Sequence, residues 1–411
     1  MDVAMKLHLR TGILLMMVVW ALTPRVLGAG DWPCWRGPAR NGISEETGWQ
    51  TQWPAEGPKV AWKAKVGLGM SSFVVAGGNA YTMGHADGQD TVFCFEAATG
   101  RLVWKHSHPA ELGDKFFDGG TTGTPVLDSG NLVVLDRWGQ VFCFEASTGK
   151  VLWNRNVQEE SGARIPDWGF GGSPLVLKDR IFLNVGEAGL ALDRKTGAIL
   201  WRSGPKSAGY STPLPVTTGT DPLLIFSSGS SYAAVDARDG KVRWSLRWVT
   251  QYGVNAADPV VDGDRMFVST GYGKGGALYR IGLPEPELLW KGKSLRTQMN
   301  AAVLWRGLLF GVDGDTTEKA ALKCMDFTSG TEKWSVPDFG NGGVVVAGGN
   351  LLAMGGTGEL IVAPADGEGF RPISRAQVLG GKTWTSPVLS QGRIYCRNTM
   401  GFVVCLDVSK P

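Results

Sequence analysis

Histidine is almost missing from this 411-residue chain: there are four, and one of them is His8. Zinc sites and haem attachment draw on clustered histidines and cysteines, and no C-x-x-C-H sequence occurs. His85 and the H-x-H pair His106/His108 therefore read as solvated loop residues, and no metal centre is expected. After residue 30 no apolar run approaches the ~20 residues of a membrane span. Blocks of basic residues are absent too, and a formal charge of +3 offers nucleic acid no electrostatic footprint. Amphipathic helical periodicity is lacking. The glycine-rich "GYGKGG" at 271–276 misses the G-x-x-x-x-G-K-[ST] spacing of a phosphate loop and reads as a hairpin turn.

The first 30 residues have the layout of a secretory signal. Lys6 and Arg10 precede the short apolar run "GILLMMVVWAL", and small residues follow near Gly28 and Gly30. Cleavage near residues 28–30 would export the mature chain to the periplasm or the extracellular space with no transmembrane helix. Three cations and one acid leave with the signal, so the charge falls from +3 to +1. Residues 31–56, which include "DWPCWRGPARNGISEETGWQTQW", are rich in Trp and Pro and lie outside any repeat. They read as an irregular arm packed on the fold.

Glycine and tryptophan, by contrast, are abundant: 59 and 17 residues. "VFCFEAATGRLVW" (92–104) returns as "VFCFEASTGKVLW" (141–153), and the pattern continues along the chain. Trp62, Trp104, Trp153, Trp201, Trp244, Trp290 and Trp334 recur at steps of 42 to 49 residues. Each period holds short Val/Ile/Phe-rich runs broken by Gly, Asp and Asn, which are strand and turn signals. A period in the forties with four strands describes propeller blades. Eight first strands can be counted, from "SSFVVAGG" to "TSPVLSQG", but the last period stops after its third strand. "GPKVAWKAKVG", around Trp62, supplies the missing fourth. The prediction is one all-β domain, residues 57–411: an eight-bladed propeller closed by its N-terminal strand, with the fourth strand of each blade ending at its Trp.

The repeated [DE]-x-x-T-G-x-x-x-W ending resembles the tryptophan-docking motif of the quinoprotein-like (PQQ-like) propellers. That family includes pyrroloquinoline-quinone alcohol dehydrogenases and the outer-membrane assembly lipoprotein BamB. The resemblance spans nearly all of the mature chain and implies that the seven tryptophans pack between blades. Blade 7 departs from it, because "APADGEGFRPISR" has no Trp at the matching place, so looser docking is expected there. Two functions are implied. One is a non-catalytic scaffold with no cofactor; the other is an oxidoreductase using PQQ and Ca²⁺ on alcohols or sugars. The dehydrogenases typically carry adjacent cysteines beside the quinone, and this chain has none. Asn255, Asp258 and Asn300 are the candidates for cation ligands. Lipid anchoring as in BamB needs a cysteine directly after the signal, whereas Cys34 follows "DWP".

Of six cysteines, Cys94, Cys143, Cys324 and Cys405 each stand two residues before an acid, in the same third-strand slot where other blades have Ala191 and Ala234. They read as small core residues, and Cys34–Cys396 is the remaining candidate for a disulfide. Turns between first and second strands are short and stereotyped. Loops entering the first strands, and those joining the second and third, are longer and varied, and both emerge on one rim. That rim collects Phe116, Phe117, Trp138, Trp168, Phe170, Tyr210, Tyr252, Tyr272 and Trp384, with Arg137, Arg164, Arg296 and Asn300. Aromatic residues and arginine are the side chains enriched in binding hot spots. A monomer is expected to bind a protein or peptide partner of the cell envelope, or a small ligand, in the central funnel.

Overall fold

The computed structural model describes residues 28, 30–218, 221–282, 284–317 and 319–410. The expected signal, apart from Gly28 and Gly30, lies outside the described residues. Eight antiparallel sheets follow one another along the chain. Their first strands are Val74–Ala76, Val126–Asp128, Leu175–Leu177, Leu214–Thr218, Val260–Asp262, Val303–Trp305, Gly343–Ala347 and Val388–Ser390, here defining blades 1 to 8. First strands of blades 1 and 2, 2 and 3, and 6 and 7 touch one another, as strands nearest the axis would. The ring is closed as the sequence predicts: Lys59–Lys65 pairs antiparallel with Phe402–Asp407 and becomes the outer strand of blade 8. One short helix, Val157–Ser161, occurs among the described residues, capped by the Asn156 side chain and by Gly162 in the left-handed conformation.

The repeated motif has a precise mechanical role. Thr99 Oγ1 donates to the Glu96 carboxylate and the Gly100 N–H to the Glu96 carbonyl, closing the turn between third and fourth strands. The fourth strand does not end at the tryptophan, as expected from the sequence, but runs past it; Trp104 lies near the start of Leu102–Pro109. A β-bulge explains the difference. Cys94 pairs with Trp104 while Phe95 pairs with Leu102, so Val103 is the extra residue. The extra residue bends the strand and re-aims the indole. Trp104 Nε1 then donates to the Ala146 carbonyl of blade 2 at 2.9 Å, and its ring covers Gly149. A Cβ on Gly149 would lie 2.6 Å from that ring, and φ is +73°, so only glycine fits on both counts. Trp62, Trp153, Trp201, Trp290 and Trp334 dock on their neighbours in the same way. Trp244 is buried against Tyr279 and Ile281 of blade 5.

The cysteine slot follows from the same geometry. Cys94, Cys143, Cys324 and Cys405 face Trp104, Trp153, Trp334 and Trp62 across the bulge, where Ala191 and Ala234 face Trp201 and Trp244. A small side chain leaves room for the indole. All six cysteines are free and buried. The Cys34–Cys396 pairing is therefore corrected: Cys34 lies in the core of blades 2 and 3, and Cys396 in that of blades 7 and 8. Burial pushes the Cys143 thiol up to about 11 and those of Cys94, Cys324 and Cys405 up to about 12. Because the thiolate is the nucleophile, alkylation of the native protein with iodoacetamide at pH 8 is expected to label almost none of the six cysteines. Mass spectrometry after unfolding should find all six labelled; rapid native labelling of Cys94 or Cys143 would contradict this burial.

The seam after blade 7 is built differently. Its outer strand Ser374–Gln377 has no bulge, and Ser374 pairs with Val362, the counterpart of Cys94. Serine thus stands where other blades carry tryptophan. The arm fills the gap: Trp49 is buried among Leu352, Val362, Ile394 and Val408, with Trp53 packed beside it. The Trp53 N–H donates to Ser374 Oγ, and the Gln50 N–H donates to the Val408 carbonyl at 2.7 Å. That carbonyl is the counterpart of Ala97's, which accepts from Trp62 Nε1. Looser docking, expected from the missing tryptophan, is not what is found, because the arm supplies two tryptophans from outside the repeat.

Candidate functional site

The arm also enters the centre of the ring. Trp32 exchanges two backbone hydrogen bonds with Val75 of blade 1, and the Pro33 carbonyl accepts from Leu127 of blade 2. On the other side, Arg36 donates to the Ala302 carbonyl before blade 6, and Ile43–Ser44 runs parallel to Gly343–Ala347 of blade 7. A segment of 13 residues that touches first strands on opposite sides of the ring lies on its axis. It plugs the channel, rather than packing only on the outside.

Above the plug opens a cavity of about 460 Å³. Its floor carries Trp35, whose Nε1 donates to Asp258 Oδ2 at 2.7 Å. Asp258 Oδ1 accepts the Thr212 N–H at 2.7 Å. Burial pushes the Asp258 carboxyl upward, and the Arg36 charge opposes this. The walls come from loops entering the first strands: Phe116, Phe117, Trp168, Tyr210 and Trp384, with Tyr272 from a second-to-third-strand turn. Phe116, Trp168 and Tyr210 form a chain of ring contacts, 5.2 and 6.0 Å between centroids. Lys382 lies 4.6 Å over Trp384 and pairs with Asp118 at 2.7 Å, joining that wall to the loop of Phe116 and Phe117. Between the aromatics lie hydroxyls and amides, including Thr122, Ser173, Gln298 and Asn300. Asp258 is the one carboxylate among the described lining residues.

The residues singled out from the sequence fall into three groups. Trp168, Tyr210, Asn300 and Trp384 line the cavity. Trp138, Arg164 and Tyr252 sit on the rim outside it: Trp138 Nε1 donates to Glu111, Arg164 pairs with Asp167, and half-exposed Tyr252 meets Tyr272 edge-on at 5.0 Å. Phe170 and Arg137 are corrections. Phe170 is a core residue of blades 2 and 3. Arg137 is buried and donates to the carbonyls of Leu112, Gly120 and Trp168, holding the wall from behind. Arg296 belongs with the second group: it is half-buried, lies outside the cavity lining and pairs with Asp313. Residue type drew attention to Phe170 and Arg137, whereas loop sequence carries no signal for which way a side chain turns. Trp35 and Lys382 were not anticipated, because only the tertiary path brings the arm onto the axis.

Of the cation candidates, Asn255 is buried, its amide donating to Ser228 and Trp248 and accepting from Thr270. Asn300 donates to Gly342 and Trp384 and accepts from Ser386. The histidines are also a correction: they sit on strands, not in solvated loops. His85 and His108 are buried against Asp90 and Asp136. His106 is half-buried and rests on Phe142 and Phe144.

A family model described as outer membrane protein assembly factor BamB matches residues 88–336, well over half of the chain. The chain belongs to the PQQ-like propeller family. Among solved structures, BamB from Moraxella catarrhalis is similar with a TM-score of 0.64 at 14% identity, covering 85% of this chain and 99% of that one. A europium-containing methanol dehydrogenase gives 0.67 at 14% identity, covering 90% and 89%. The quinohemoprotein alcohol dehydrogenase of Comamonas testosteroni gives 0.63 at 15% identity, covering 93% and 81%. At such identities the likeness is one of fold, and this PQQ-like propeller stands alongside both kinds of relative. No curated protein sequence matches the chain.

Proposed function

We propose that this PQQ-like propeller is an exported, non-catalytic binding module that receives a peptide segment of an envelope protein in its plugged funnel. The observation that carries the reading is the funnel's chemistry: aromatic walls, neutral hydroxyls and amides, and a single floor carboxylate already engaged by Trp35 and Thr212. Such a surface gives an extended chain aromatic contact area and hydrogen-bond partners. It offers no set of free acids or bases for acid–base work.

The residues present do not fit a calcium-bound quinone. Ca²⁺ takes six to eight oxygen ligands, and the funnel presents one carboxylate and amides committed to internal bonds. No pair of thiols flanks the funnel, since all six cysteines are buried in hydrophobic clusters between blades. Lipid attachment at Cys34 is likewise disfavoured, because its Sγ is buried and donates to the Gly37 carbonyl. No helix among the described residues is long and apolar enough to cross a membrane.

A photo-crosslinking amino acid at position 384 should give a discrete adduct with a partner in envelope extracts. The adduct should fall at least tenfold when Trp168→Ala is added, whereas a probe at Lys150, on a turn between third and fourth strands, should give none. Equal labelling from both positions would overturn the funnel as the site. Dye-linked alcohol oxidation appearing on addition of PQQ and Ca²⁺ would overturn the non-catalytic reading.

A further inference from the structure

The two buried histidines share one small volume with two buried acids. His85, Asp90 and His108 form a single row across three adjacent strands of blade 1, in register as His85↔Asp90 and Asp90↔His108. Asp136 enters the row from blade 2, just after the strand Asn131–Leu135. One ligand atom each of Asp90, His108 and Asp136 lies within 4.8 Å of the others, and all three residues are buried. The registers that build blade 1 converge with a turn of blade 2 at this seam.

We propose that Asp90, His108 and Asp136 bind a divalent first-row transition metal between blades 1 and 2, with His85 orienting Asp90. The hydrogen bonds around the triad are arranged for it. Asp136 Oδ1 accepts the Trp138 and Gln140 N–H groups, each at 2.8 Å, while Oδ2 faces His108 Nε2 at 2.9 Å. His85 Nδ1 holds Asp90 Oδ1 at 2.7 Å. Asp90 Oδ2 has no hydrogen-bond partner although the residue is 0% exposed. A buried carboxylate oxygen without a donor is costly, and the cost is raised by a second carboxylate alongside. Burial lifts the Asp90 carboxyl above its usual range; the His85 hydrogen bond opposes this, and the Asp136 charge adds to it. Arg137 lies close enough to feel both acids, but its guanidinium donates to three carbonyls rather than to either of them.

A cation in the triad neutralises the facing carboxylates and gives Asp90 Oδ2 its partner. The imidazole decides the class of ion. Mg²⁺ and Ca²⁺ prefer oxygen sets, whereas one nitrogen and two carboxylate oxygens at about 2.0–2.2 Å suit zinc and its neighbours. The triad also bears on the funnel: the residue after Asp136 is Arg137, which holds the Trp168 carbonyl at 2.8 Å. Metal binding there would stiffen the aromatic wall. This inference stands independently of what the funnel binds.

Zinc is the probe. The purified chain, stripped with a chelator and desalted, should take up one Zn²⁺ per molecule, measured by elemental mass spectrometry, and its melting temperature should rise. His108→Ala and Asp90→Asn should each weaken uptake at least tenfold. His106→Ala, on the same strand but outside the triad, should leave it intact. Should the triad variants fail to fold, Co²⁺ titration of the wild-type chain replaces them, with visible absorption bands saturating at one equivalent. Substoichiometric zinc uptake by the folded wild type, equal loss in His106→Ala, or a cobalt spectrum without a one-equivalent endpoint would each overturn the proposal.

Discussion

Deletion of residues 57–66 is expected to abolish the cooperative fold. It removes Lys59–Lys65 and with it the whole outer strand of blade 8. Phe402–Asp407 then becomes an open edge, with its backbone groups facing water and free to pair with other chains. Trp62 is lost as well, and with it the hydrogen bond to the Ala97 carbonyl and the cover over Gly100. Removing one buried tryptophan alone costs about 3–5 kcal/mol. The pairing hydrogen bonds add about 1 kcal/mol each, and a typical domain has only about 5–15 kcal/mol in total. Size-exclusion chromatography and thermal circular dichroism should therefore show aggregate, or a monomer without a sharp transition. A monomer melting at the wild-type temperature would show that the ring does not depend on this strand. Arg397 cannot rescue it: its buried guanidinium ties blade 8 to the carbonyls of Ser71, Met83 and Gly67, but it leaves the outer edge untouched.

Trp49→Ala is expected to lower the stability of the full chain by about 3–5 kcal/mol, the usual range for truncating a buried tryptophan. Trp49 is 5% exposed and fills the seam that Ser374 leaves open between blades 7 and 8. Its neighbours Leu352, Val362 and Ile394 lie on strands of blades 7 and 8, which limits how far they can move into the gap. Denaturant midpoints read the effect. Trp138→Ala is the control: its indole is half-buried on the rim and holds one hydrogen bond to Glu111. Substitution there should cost under about 1 kcal/mol, as surface changes usually do. Equal losses at the two positions would mean that the arm is not part of the blade 7–8 interface.

These two cases mark how far the sequence could be read. The [DE]-x-x-T-G-x-x-x-W ending is local: turn, bulge and tryptophan fall within about ten residues, and the blade forms from them wherever they occur. Repetition at 42 to 49 residues then fixed the count of blades and the need for a strand from the other end. The arm gave no such signal, because its partners are up to 360 residues away along the chain. The histidines misled for a related reason. The row His85–Asp90–His108 depends on cross-strand register, and its fourth member belongs to another blade.

By itself, then, the sequence determined the repeating unit and the closure of the ring, since both rest on turn chemistry, strand patterning and burial within a blade. Tertiary structure alone decided what the ring encloses. The arm becomes a plug because first strands on opposite sides of the axis offer it hydrogen bonds, and that seats Trp35 beneath the funnel. Loop side chains divide into wall, rim and core according to which neighbours the packing gives them: Trp168 and Trp384 face the cavity, while Phe170 and Arg137 turn inward. The same packing across the seam of blades 1 and 2 sets two acids and a histidine within reach of one ion. A pairing pattern of period two settles which face a strand residue occupies, but no pattern in a loop settles where its side chain points, because that depends on surfaces built from distant parts of the chain.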